Sequence, residues 1–128
     1  MTHGKEHMEP TRSELEILQV LWEKGPSTVR DVNNEMLRQR EVNYTTTLKQ
    51  MQVMADKGLL HRDQGQMKHI YSAAVDEQKL KAHLVDKFVD AMYKGSAGKL
   101  VMELLGNKHT SPQDLRDIKD MINKLESK

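Results

Sequence analysis

The chain has 128 residues, 37% of them hydrophobic and 30% charged, with a formal net charge of +1 and no cysteine. That length fits one domain or two small ones, and the composition is ordinary for a folded globular protein. The missing cysteines exclude disulfides, thiolate metal sites and cysteine nucleophiles together. No apolar run reaches the length of a membrane span, and the opening MTHGKEHMEP lacks the apolar stretch of a secretory signal. The expectation is a cytoplasmic protein with no membrane partner. Charge is close to balance in both halves of the chain, so nucleic-acid binding would depend on how cations are arranged and on valency.

In chain order, TRSE pairs Thr11 with Glu14 as a capping box. Behind it Leu15, Leu18 and Trp22, with Ile17 and Leu21, recur at helical spacing until Gly25-Pro26. Thr28 with Asp31 caps a second helix whose apolar stripe is Val29, Val32 and Met36. Asn43 is a suitable N-cap for a third, ending near Lys57 with Gly58 to close it. At about 100° per residue, Tyr44, Thr47, Leu48, Met51, Met54 and Ala55 fall on one side of that helix. Thr45, Thr46 and Lys49, and less squarely Gln50, Gln52 and Val53, fall on the other.

After Gly58 the period changes. LLHRD and KHIYSAA, separated by QGQM, read as two strands of a hairpin. From Asp76 the helical period returns in Leu80, Leu84, Phe88 and Met92, up to Gly95. A short helix follows over about Ala97 to Leu105. Ser111-Pro112 then opens a last one, carrying the stripe Leu115, Ile118, Ile122 and Leu125.

Three helices and a hairpin form the order of a winged helix, so the expected fold is mostly α with a small β-hairpin. The boundaries are a flexible tail over 1–10, a winged helix-turn-helix DNA-binding domain over 11–75 and a helical dimerisation region over 76–128. This order gives the run Thr45-Thr46-Thr47 a purpose, although threonine is a mediocre helix former. Short hydroxyls at a helix start can add hydrogen bonds to a phosphate already favoured there, and a threonine methyl can meet a thymine methyl. Thr47 points inward and reads as packing. Lys49 can reach guanine or phosphate; Gln50 and Gln52 can reach adenine. The candidate DNA-contacting set is Asn43, Tyr44, Thr45, Thr46, Lys49 and Gln50, with Arg62 and Lys68 as the cations of the hairpin.

The chain also resembles the penicillinase-repressor family of winged-helix transcriptional regulators. The likeness runs from Thr11 to the C-terminus and is carried by SELEILQVLWEKGPSTVRDV, YTTTLKQMQVMADKGLL and IYSAAV. It implies a homodimeric repressor on a palindromic double-stranded DNA operator. By that likeness Thr45, Thr46 and Lys49 lie where the recognition helix meets DNA, and residues 64–68 where the wing does. The copper-responsive branch carries a C-terminal cysteine pair, which this chain lacks. The antibiotic-responsive branch is inactivated by a protease at an Asn-Phe bond; Glu103-Leu104 stands at the corresponding place, which leaves a regulatory protease partner and the inducing signal open.

Other features have plainer readings. Leu84, Phe88, Leu115, Ile118, Ile122 and Leu125 are expected to pack in a dimer interface. The nine methionines are expected to fill core gaps, and Trp22 to be core. His3 and His7 lie four apart but lack a third ligand, and no metal or other cofactor is expected. His61 and His69 flank the hairpin turn. An enzyme finds no glycine-rich phosphate loop and no nucleophile paired with a base. The alternative function is a winged helix that binds a protein partner through its third helix, which would call for an apolar outer face; only Val53 there is apolar.

Overall fold

Side-chain caps decide where the helices start. In the computed structural model, which describes residues 9–65, 69–107 and 109–128, six helices and two strands follow one another among the described residues. They are α1 (Arg12–Lys24), α2 (Val29–Leu37), α3 (Tyr44–Asp56), β1 (Leu60–Asp63), β2 (Ile70–Ala73), α4 (Glu77–Tyr93), α5 (Ala97–Gly106) and α6 (Pro112–Glu126). Thr11/Glu14, Thr28/Asp31 and Ser111/Asp114 form complete capping boxes, each hydroxyl accepting from a backbone N–H three residues on and each carboxylate accepting from the cap's own N–H. Asn43 caps α3 by accepting from the Thr46 N–H at 3.3 Å. Gly25 and Gly58, at φ +84° and +87°, supply the left-handed residues that turn the chain after α1 and after α3.

The chain divides into two compact units, one ending at Leu80 and one running from Lys81 to Lys128. In the first, α1, α2 and α3 bury Ile17, Leu18, Leu21, Val32, Met36, Met51 and Met54 against Leu59, Leu60 and Tyr71 of the hairpin, each 5% exposed or less. Burying a side chain of this size is worth about 1.5–3 kcal/mol. The hairpin is antiparallel, with Leu60 opposite Ala73 and Asp63 opposite Ile70. Its second strand also pairs with the turn between α1 and α2: the Ser27 N–H donates to the Tyr71 carbonyl at 2.9 Å, and the Tyr71 N–H to the Ser27 carbonyl at 2.8 Å. Three helices and a hairpin on one core make a winged helix, as the sequence predicts.

In the second unit Val89 is buried and the Phe88 and Tyr93 rings meet edge to face, 6.0 Å between centroids. Leu84 and Ile118 are half-buried. Phe88, Leu115, Ile122 and Leu125 are 44–60% exposed. No helix among the described residues is long and apolar enough to cross a membrane.

Two expectations are corrected. Trp22 is half-buried rather than core: its indole N–H donates to the Val75 carbonyl at 3.2 Å, and that polar tie holds the ring at the surface. The methionines are not uniformly core fillers. Met36, Met51 and Met54 are buried, but Met92, Met102 and Met121, on the three helices of the second unit, are 58–70% exposed, because nothing in the single chain covers them. The tail 1–8, with His3 and His7, lies outside the described residues, and so does Lys68.

Candidate nucleic-acid interface

The third helix is held by its inner face and from three directions. Thr47, Met51 and Met54 are fully buried. The Thr47 hydroxyl donates to Asn33 Oδ1 of α2 at 2.7 Å, a buried bond that joins the two helices of the helix-turn-helix. Asn33 itself is only 3% exposed. The Gln50 amide donates to Ser13 Oγ of α1 at 2.7 Å. At the far end of the helix, Lys57 Nζ lies 2.9 Å from both Glu14 oxygens.

Glu14 is almost completely buried. Burial by itself pushes its carboxyl up. The hydrogen bond from Lys57, the Thr11 backbone N–H and the Lys57 charge together outweigh that and hold it below the usual glutamate value. One carboxylate therefore caps α1 and anchors α3 as well. Just ahead of α3, Arg40 reaches Glu16 at 2.7 and 3.3 Å, fixing the loop that leads into the helix.

With the inner face locked, the outer face is free. Thr45, Thr46, Lys49, Gln52 and Val53 are all exposed. Thr45, Lys49 and Gln52 are spaced four and three residues apart and so share one stripe along the helix. Lys49 makes no ion pair or hydrogen bond among the described residues. Arg62 is exposed on β1 opposite Tyr71.

The structure thus brings Thr45, Thr46 and Lys49 together on one surface. It places Asn43, Tyr44 and Gln50 differently. Asn43 spends its side-chain oxygen on the helix cap, Tyr44 is half-buried, and the Gln50 side chain is turned toward α1. Sequence reasoning left out Arg30 of α2, whose guanidinium lies 4.0 Å from the centroid of the Tyr44 ring. Its place in the first turn after the Thr28 cap, between the buried Val29 and Val32, was a signal that it faces solvent. Among the described residues no group of three or more His, Asp or Glu side chains could hold a metal ion.

A winged helix with its third helix locked inward and a polar, cation-bearing face turned outward has the architecture of a DNA-binding regulator. The chain belongs to the penicillinase repressor family, whose model matches residues 10–124. As a member it is a DNA-binding transcriptional repressor and not an enzyme. Among curated relatives it is similar to the methicillin resistance regulatory protein MecI of Mammaliicoccus sciuri, 22% identical over 116 residues that span 91% of this chain and 94% of the relative. It is 21% identical to the protein of the same name from Staphylococcus aureus strain N315, with the same coverage. Among solved structures, a MarR family protein from Bacillus stearothermophilus matches at a TM-score of 0.50 and 19% identity, covering 98% of this chain and 81% of that one, a likeness of fold.

Proposed function

We propose that the chain represses transcription in the cytoplasm as a homodimer on a palindromic operator, each protomer placing the first turn of α3 in a major groove. The single observation that carries this reading is the division of α3 into a fully buried inner side and an exposed polar outer side. In it Thr45 and Thr46 meet backbone and base edges at the start of the helix, and Lys49 reaches guanine or phosphate one turn on. Arg62, exposed on β1, carries the wing's charge toward the backbone.

One module offers few cations, so affinity must come from two half-sites about one or two helical turns apart. Support for the second copy is the exposure, in the single chain, of the apolar side chains Phe88, Leu115, Ile122 and Leu125 of the C-terminal unit. The 11–75 and 76–128 regions divide the work accordingly, the first binding DNA and the second pairing protomers. Glu103-Leu104, which by the family likeness stands where a regulatory protease would cut, lies inside α5.

Selection of bound duplexes from a random pool tests the reading directly. An enriched inverted repeat is expected, together with a dimer in sedimentation. A monomer that enriches no sequence would overturn it.

A further inference from the structure

Between the start of α3 and the hairpin runs a groove of about 420 Å³, with Thr28, Arg30, Tyr44, Leu48 and His69 among its walls. Arg30 lies in the first turn of α2 and Tyr44 is the first residue of α3, so the pair joins the two helix starts on the side that faces the wing. The Arg30 guanidinium carbon sits 4.0 Å above the Tyr44 ring.

Four cations of this unit are spent on carboxylates: Lys24 on Glu35, Arg38 on Glu35, Arg40 on Glu16 and Lys57 on Glu14. Arg30 has no carboxylate partner among the described residues. A guanidinium over an aromatic ring is attracted by the ring's π face without spending its N–H donors on a carboxylate. Stacking also removes part of the rotamer freedom that an exposed arginine otherwise gives up on binding. The result is an exposed, unneutralised and oriented fork of donors in a groove between the recognition helix and the wing.

We infer that Arg30 is a DNA-backbone contact, a guanidinium held by Tyr44 to grip a phosphate of the strand that passes between α3 and the hairpin. This rests on the DNA reading above and adds to it a residue of α2. Tyr44 then acts as a positioning residue, supporting the arginine rather than reading a base.

The test uses the full-length protein, a duplex selected by it from a random pool, and a scrambled duplex of equal length, at several salt concentrations. Arg30→Ala is expected to weaken both duplexes alike, by roughly three- to tenfold, and to lower the slope of log affinity against log salt by about one. Arg30→Lys is expected to restore the slope but only part of the affinity, since an ammonium keeps the charge and loses the planar stack. Tyr44→Leu is expected to weaken binding with the slope intact. If wild-type protein binds and Arg30→Ala keeps its affinity and slope, the inference is overturned while the DNA reading stands. A loss confined to the selected duplex would also overturn it, because Arg30 would then be reading bases. Wild-type protein that binds neither duplex would overturn both.

Discussion

The Thr47 hydroxyl and the Asn33 side-chain oxygen form a 2.7 Å hydrogen bond with both residues buried, so the angle between the two helices of the DNA-reading motif is fixed by a polar contact inside an apolar core. Thr47→Val keeps the shape and removes the donor, leaving an acceptor buried without its partner. A loss of about 1–3 kcal/mol in unfolding free energy is expected, with Thr47→Ser close to wild type. Urea denaturation followed by the single tryptophan measures it.

The Glu14–Lys57 pair predicts a dependence on pH. Glu14 has a lowered folded-state pKa, so its contribution is present above the ordinary glutamate value of about 4.5 and is lost as pH falls through the lower folded value. Glu14→Gln preserves the cap, because glutamine also serves in a capping box, but removes the charge. The variant should be less stable than wild type by about 1–2 kcal/mol at pH 7. The gap should narrow as pH falls below that ordinary value and through the lower folded one. A constant gap across that range would show that the ion pair contributes nothing.

Lys49 and Arg62 should separate by specificity. Lys49→Ala is expected to cost about 1–3 kcal/mol on the selected operator and to relax preference at one position of each half-site. Arg62→Ala is expected to weaken all duplexes alike and to lower the salt slope by about one. Quantitative binding titrations on operator and scrambled DNA distinguish the two patterns.

Ile122 is 46% exposed in the single chain, so Ile122→Asp should leave the circular-dichroism spectrum unchanged. In the proposed interface it would bury an unpaired charge, at a cost of about 3 kcal/mol or more, which is roughly a hundredfold in the dimer dissociation constant. Sedimentation at low micromolar concentration should then show monomer. A variant that stays dimeric would remove α6 from the interface.

What could be read from the sequence was what is local. Thr11 with Glu14, Thr28 with Asp31 and Ser111 with Asp114 each announce a helix start within four residues, and Gly25 and Gly58 mark the turns. The buried side of α3 follows from period alone. Contacts between elements were not legible, because they depend on crossing angles that no periodicity encodes. Nothing in the sequence says that Lys57 meets Glu14, that Gln50 meets Ser13, or that Arg30 lies over Tyr44. Trp22 misleads for a related reason: its apolar period is right, but the Val75 carbonyl that holds its indole at the surface lies 53 residues away.

The backbone pair between Ser27 and Tyr71 stitches the wing to the turn between the first two helices. With Ser27 5% and Tyr71 1% exposed, these two amides are expected to take up deuterium slowly, with opening of the N-terminal unit as the route for exchange. Their exchange rates therefore serve as a gauge of that unit's own cooperativity, readable residue by residue whether or not a second protomer or a duplex is bound.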